Sequence, residues 1–188
     1  MNNQTKKIVG VGLFTAIVVV LQLLGGGIRF GIFSISLVLI PIVVGAAIYG
    51  WSAGMWLGFA FGVTVLLSGD AGAFLAIDVA GTILVVLAKG TMCGLFAGLI
   101  YKALEHINNV LAVVTAAIVC PVVNTGVFLV GCKLFFFEKI TEWAAMYGYA
   151  DAGSYMLFGL AGINFLIELG ANILLAPVIV RLIRIGKK

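Results

Sequence analysis

The chain is a succession of apolar runs, each long enough to cross a bilayer and each parted from the next by a few polar or turn-forming residues. A crossing helix needs about 20 apolar residues to cover roughly 30 Å of hydrocarbon at about 1.5 Å per residue. Six segments meet that requirement: about Ile8 to Leu24, Ile32 to Tyr49, Trp51 to Leu67, Thr82 to Leu104, Val110 to Phe136 and Tyr155 to Ile185. The second and third meet at Tyr49-Gly50-Trp51-Ser52, a tight turn whose aromatic residues suit the membrane interface. Pro177 interrupts the hydrogen-bond ladder of the last. The first run is followed by Leu24-Gly25-Gly26-Gly27 rather than a small-residue cleavage site, so it is kept as a span.

Composition agrees. Of 188 residues, 63% are hydrophobic and 10% charged, against about 45–50% and about 25% in a soluble domain. So few charged side chains cannot clothe a water-soluble surface. The expectation is an all-α integral membrane protein of the cell membrane: one domain, residues 1–188, folded as a six-helix transmembrane bundle in the lipid bilayer. The net charge of +4 does not point to nucleic acid, because the basic residues sit at segment ends instead of forming a patch with aromatics. Lys6, Lys7, Lys102, Arg181, Arg184, Lys187 and Lys188 fall on one side, and Asp70, Asp78, Glu138, Glu142 and Asp151 on the other. The positive-inside rule then puts both termini in the cytoplasm and the longer connections, 25–31, 68–81 and 137–154, outside.

Ionisable and amide groups inside spans are costly in lipid and mark a functional interior. Here they are Lys89 in the fourth span, Asn124 in the fifth, and Asn164, Glu168 and Asn172 in the sixth. Counted from the outer ends, Lys89, Asn164 and Asn124 reach similar depths of roughly 10–18 Å. Lys89 is then either one half of an ion pair with Glu168 or the cationic floor of a pocket for an anionic or carbonyl-rich solute, with the two asparagines as amide partners. Asn172, deeper, reads as a helix-packing hydrogen bond. Glycines at 54, 58 and 62 and at 90, 94 and 98 recur every fourth residue and read as packing seams. Gly12 and Ala16 make a similar flat face on the first span, open either to packing or to a partner protein in the membrane.

No catalytic constellation is visible. Ser68, Asp70 and Asp78 lie in an outer connection, and His106 lies in a cytoplasmic turn across the membrane from them. Cys93, Cys120 and Cys132 show no metal-ligand spacing and read as small buried residues. There is no nucleotide-binding loop, so any ATP must be handled by another protein. No metal or cofactor is expected.

These features together resemble the substrate-binding membrane subunit, or S component, of an energy-coupling factor (ECF) vitamin transporter. The likeness rests on the six spans and the small-residue first helix. It also draws on Leu39-Ile40-Pro41-Ile42-Val43-Val44-Gly45-Ala46 followed by Tyr49-Gly50-Trp51-Ser52-Ala53-Gly54, and on Leu87-Ala88-Lys89-Gly90. Ile163-Asn164-Phe165-Leu166-Ile167-Glu168, Pro177 and Arg181 complete it. The resemblance implies a vitamin or related micronutrient as substrate, bound at an outward pocket that the first loop caps. It implies as partners a membrane scaffold protein, met by the Gly12 and Ala16 face, and two ATPase subunits. The whole subunit would topple to deliver its ligand inward. Riboflavin-type members resemble one another in an Asn and a nearby Lys on the sixth helix; Glu168 in the matching stretch points away from riboflavin. A buried Lys89 suits a small carboxylate such as pantothenate, with riboflavin, folate or another vitamin as alternatives. A gradient-driven carrier or channel is the other class, and it would ordinarily carry an internal repeat.

Overall fold

The computed structural model describes residues 3–25, 29–30, 33–34 and 37–186. Helix α1 covers Asn3–Gly25, α2 Leu39–Tyr49, α3 Trp51–Ser68, α4 Gly72–Leu75, α5 Val79–Leu104 and α6 Asn109–Phe135. They are followed by α7 at Phe137–Met146, α8 at Ala152–Ser154, a π-helical segment at Tyr155–Gly162, α9 at Ile163–Leu174 and α10 at Ala176–Gly186. Between α1 and α2, two-residue strands β1 (Arg29–Phe30) and β2 (Phe33–Ser34) pair antiparallel, with Arg29 opposite Ser34. The chain is an all-α membrane protein, the form lipid demands because a helix satisfies its backbone groups internally.

Among the described residues, four helices are long and apolar enough to cross a membrane: α1, α3, α5 and α6. A fifth candidate is the bent pair 152–162 and 164–174, whose halves meet at 40°. Two expected spans are therefore revised. The second, expected from Ile32, starts as a helix only at Leu39, and its 11 residues cover about 16 Å, half the hydrocarbon. The sequence gives the reason: Phe33-Ser34-Ile35-Ser36 alternates as a strand does, and Pro41 fits the first turn of a helix. The sixth, expected as one helix from Tyr155 to Ile185, is broken at Gly162 and Leu175. Pro177 sits in the first turn of α10, where its missing N–H costs nothing. The capping loop expected at 25–31 lies largely outside the described residues, as do Lys187 and Lys188.

The centre of the bundle is a glycine seam between α3 and α5. A Cβ on Gly58 would overlap the carbonyl oxygen of Gly90, one on Gly94 the carbonyl of Gly54, and one on Gly62 would come within 2.9 Å of Val86 O. These helices touch backbone to backbone, the close approach that small residues allow in lipid. Gly98 closes the seam against Trp51.

Helix α2 is the most enclosed element: Leu39, Ile42, Val43, Val44, Ala46 and Ala47 are all buried. Gly45 packs on Leu57, and the methyl carbon of Ile42 faces Gly94. A cavity lies beside this core, lined by Phe61 and Val65 of α3 and by Val86 and Lys89 of α5 among others.

Candidate functional site

Six parts of the chain wall the cavity. Gln22 comes from the end of α1, Phe61 and Val65 from α3, and Asp70 and Phe74 from the α3–α4 region. Thr82, Val86 and Lys89 come from α5, Asn124, Thr125 and Phe128 from α6, and Leu160, Asn164 and Glu168 from the broken sixth segment. The cavity has a volume of about 100 Å³. One water needs roughly 10–15 Å³, so the space admits an organic molecule rather than a lone water.

The sequence places two cavity residues one turn apart on α9, Asn164 and Glu168, which therefore share a face. Lys89 and Asn124 reach the same space from α5 and α6. All four residues singled out from sequence as substrate contacts thus line one cavity.

Lys89 is the centre of its electrostatics. Nζ lies 5.4 Å from the ring centre of Phe128 and 5.8 Å from that of Phe61, both within the range of a cation–π contact. Among the described residues no carboxylate lies within 4.0 Å of it. Lys89 and Glu168 share a cavity without forming the ion pair that was one of the two sequence readings. The Glu168 side chain is nonetheless nearly enclosed, at 8% exposure, and its charge and that of Asp70 act on Lys89 at longer range.

Acceptors line the same cavity as this cation. The buried Oδ1 atoms of Asn124 and Asn164 have no hydrogen-bond partner among the described residues. Buried amide oxygens are ordinarily paired, and leaving one unpaired costs roughly 1–3 kcal/mol. Such an arrangement accepts hydrogen bonds from a guest with hydroxyl or amide N–H groups. Thr82 also lines the space, but its hydroxyl donates back to Asp78 O at 2.6 Å.

Sequence reasoning missed Gln22 and Asp70. Asp70 lies in the connection between α3 and α4 and lines the cavity, accepting from Gln22 Nε2 at 2.6 Å and from Ser68 Oγ at 3.1 Å. The available signal was Gly69, whose left-handed backbone (φ 82°) ends α3 and turns the following residue. Gln22, the one amide in an otherwise apolar stretch of α1, was a second signal. Asn172 also departs from expectation. It donates to Glu168 O in its own helix at 2.8 Å instead of tying two helices, and its Oδ1 is buried without a partner among the described residues.

Gly12 and Ala16 stand apart from the cavity. Both are exposed on α1, and a Cβ on Gly12 would meet nothing within 4 Å. The α3 and α5 glycines, in contrast, are used inside the bundle. The three cysteines are buried and free, and among the described residues no His, Cys, Asp and Glu side chains gather as a metal site.

The protein-family comparison agrees with this architecture: a family model described as "ECF transporter, substrate-specific component" matches residues 6–180. No curated protein and no solved structure gives a match.

Proposed function

The chain belongs to the family of ECF transporter substrate-specific components, transport subunits rather than enzymes, and from that premise we propose that its cavity captures pantothenate or a closely similar hydroxylated carboxylate. The observation that carries this reading is the ammonium of Lys89, held over two aromatic rings with no carboxylate in ion-pair reach among the described residues. A charge in that setting is stabilised when a guest anion joins it. The orphaned amide oxygens of Asn124 and Asn164 call for hydrogen-bond donors on the same guest, and Glu168 accepts another. Pantothenate offers one carboxylate for Lys89 and hydroxyl and amide N–H groups for the three acceptors.

The subunit is proposed to sit in the cell membrane with six crossings and both termini in the cytoplasm, the short α2 completing one of them. A scaffold protein docks on the open Gly12 and Ala16 face of α1, and two ATPase subunits supply energy. Uptake of labelled pantothenate into proteoliposomes tests the whole reading. It should require the scaffold and both ATPases and should stop when ATP is withheld. Uptake by this chain alone, driven by an ion gradient, would instead identify an autonomous carrier.

A further inference from the structure

Helix α1 is the least enclosed of the long helices, with Leu13 62%, Val20 52% and Leu24 68% exposed. Hydrocarbon is as apolar as these side chains, so no hydrophobic force holds such a helix against the bundle. Packing and polar ties must do so. Among the described residues two side-chain hydrogen bonds link α1 to the rest. Trp56 Nε1 donates to Thr15 Oγ1 at 3.2 Å on an exposed face, and Gln22 Nε2 donates to Asp70 Oδ2 at 2.6 Å. The second is short, has a carboxylate acceptor, and is enclosed at Gln22, which is 3% exposed. Its acceptor is itself positioned by the left-handed turn at Gly69 and by Ser68 Oγ. Both partners line the cavity.

We propose that the Gln22–Asp70 hydrogen bond is a positioning latch that fastens the cavity end of α1 to the α3–α4 connection and makes α1 a wall of the site. When the bond is absent, that end of α1 is held less closely while the glycine seam between α3 and α5 keeps the rest of the bundle intact. The effect on ligand affinity rests on the cavity being the ligand site; the effect on α1 does not.

The test uses spin labels at Leu24→Cys on α1 and Leu67→Cys on α3, both strongly exposed positions, in the full chain in lipid nanodiscs without ligand. Asp70→Ala and Gln22→Glu should each broaden the distance distribution between the labels. The double variant Gln22→Glu with Asp70→Asn reverses donor and acceptor and should narrow it again. In parallel, labelled pantothenate should bind about tenfold or more weakly to each single variant, as expected for losing a hydrogen bond to a charged group, with recovery in the double variant. Unchanged distances in folded, monodisperse single variants would overturn the latch, as would broadening that the swapped pair fails to reverse. If pantothenate does not bind the unmodified chain, the ligand assignment fails, and the latch still stands or falls on the distances.

Discussion

Lys89 Nζ lies over the ring of Phe128, 5.4 Å from its centre, and this contact with a neutral ring takes the place of an ion pair among the described residues. Removing the cation therefore strands no partner carboxylate held in ion-pair contact. In Lys89→Met the thermal midpoint should be held or raised, since a buried charge is replaced by an apolar chain of similar length. Pantothenate binding should weaken by about 2–5 kcal/mol, the usual loss when one member of a buried charged pair is truncated. Calorimetric titration and a thermal melt on the same preparation check both halves. Undiminished binding would remove Lys89 from the site.

Asn124 separates stability from binding in a second way. Its buried Oδ1 has no partner among the described residues, and replacing such a group by an apolar one of similar shape is close to neutral or stabilising. Asn124→Leu should leave the melting temperature unchanged or higher while reducing ligand affinity. A clear fall in stability would mean that the amide is structural.

Gly58 and Gly12 are glycines on long helices with opposite surroundings. A Cβ at Gly58 overlaps the Gly90 carbonyl, whereas at Gly12 it meets open space. Gly58→Ala should destabilise the bundle by about 1–3 kcal/mol through overpacking of rigid backbone. Gly12→Ala should be neutral or stabilising by up to about 1 kcal/mol, from the better helix propensity of alanine. Thermal unfolding in one detergent compares them directly. The bulkier Ala16→Leu should leave ligand binding intact and prevent co-purification with the scaffold and ATPases; normal transport by that variant would exclude the α1 face as the docking surface.

Both termini should report a cytoplasmic location in reporter fusions, from the Lys and Arg bias of 102, 181 and 184 with the amino-terminal lysines. A fusion after Tyr147 should report the opposite side. An extracellular carboxyl terminus would sink the six-crossing topology.

The long helices were legible because lipid makes the rule simple. An uninterrupted apolar run must be a helix, so α3, α5 and α6 begin and end within three residues of the sequence expectation. The same rule misled where a run was apolar but not helical. Hydropathy alone does not distinguish the strand residues Phe33 and Ser34 or the turn at 37–38 from the helix that begins at Leu39, and it gave no sign of the π-helical segment or of the break at Gly162. Lys89, Asn124, Asn164 and Glu168 could be picked out one by one, because a polar group in hydrocarbon stands out without any knowledge of its neighbours.

The sequence by itself therefore determined that this chain is a helical membrane protein, which helices have close-packing faces, and that Lys89, Asn124, Asn164, Glu168 and Asn172 are polar side chains within its apolar runs. Only the tertiary structure decided that α2 begins as a helix at Leu39 and that polar side chains from several helices line one cavity. It also decided that Lys89 meets Phe61 and Phe128 instead of Glu168, and that Gln22 and Asp70, 48 residues apart, share a hydrogen bond at the cavity wall. The physical reason is one of range. Transfer into lipid is a property of each residue and its segment, whereas pairing depends on distances between helices that are set by glycine contacts and backbone turns remote in sequence.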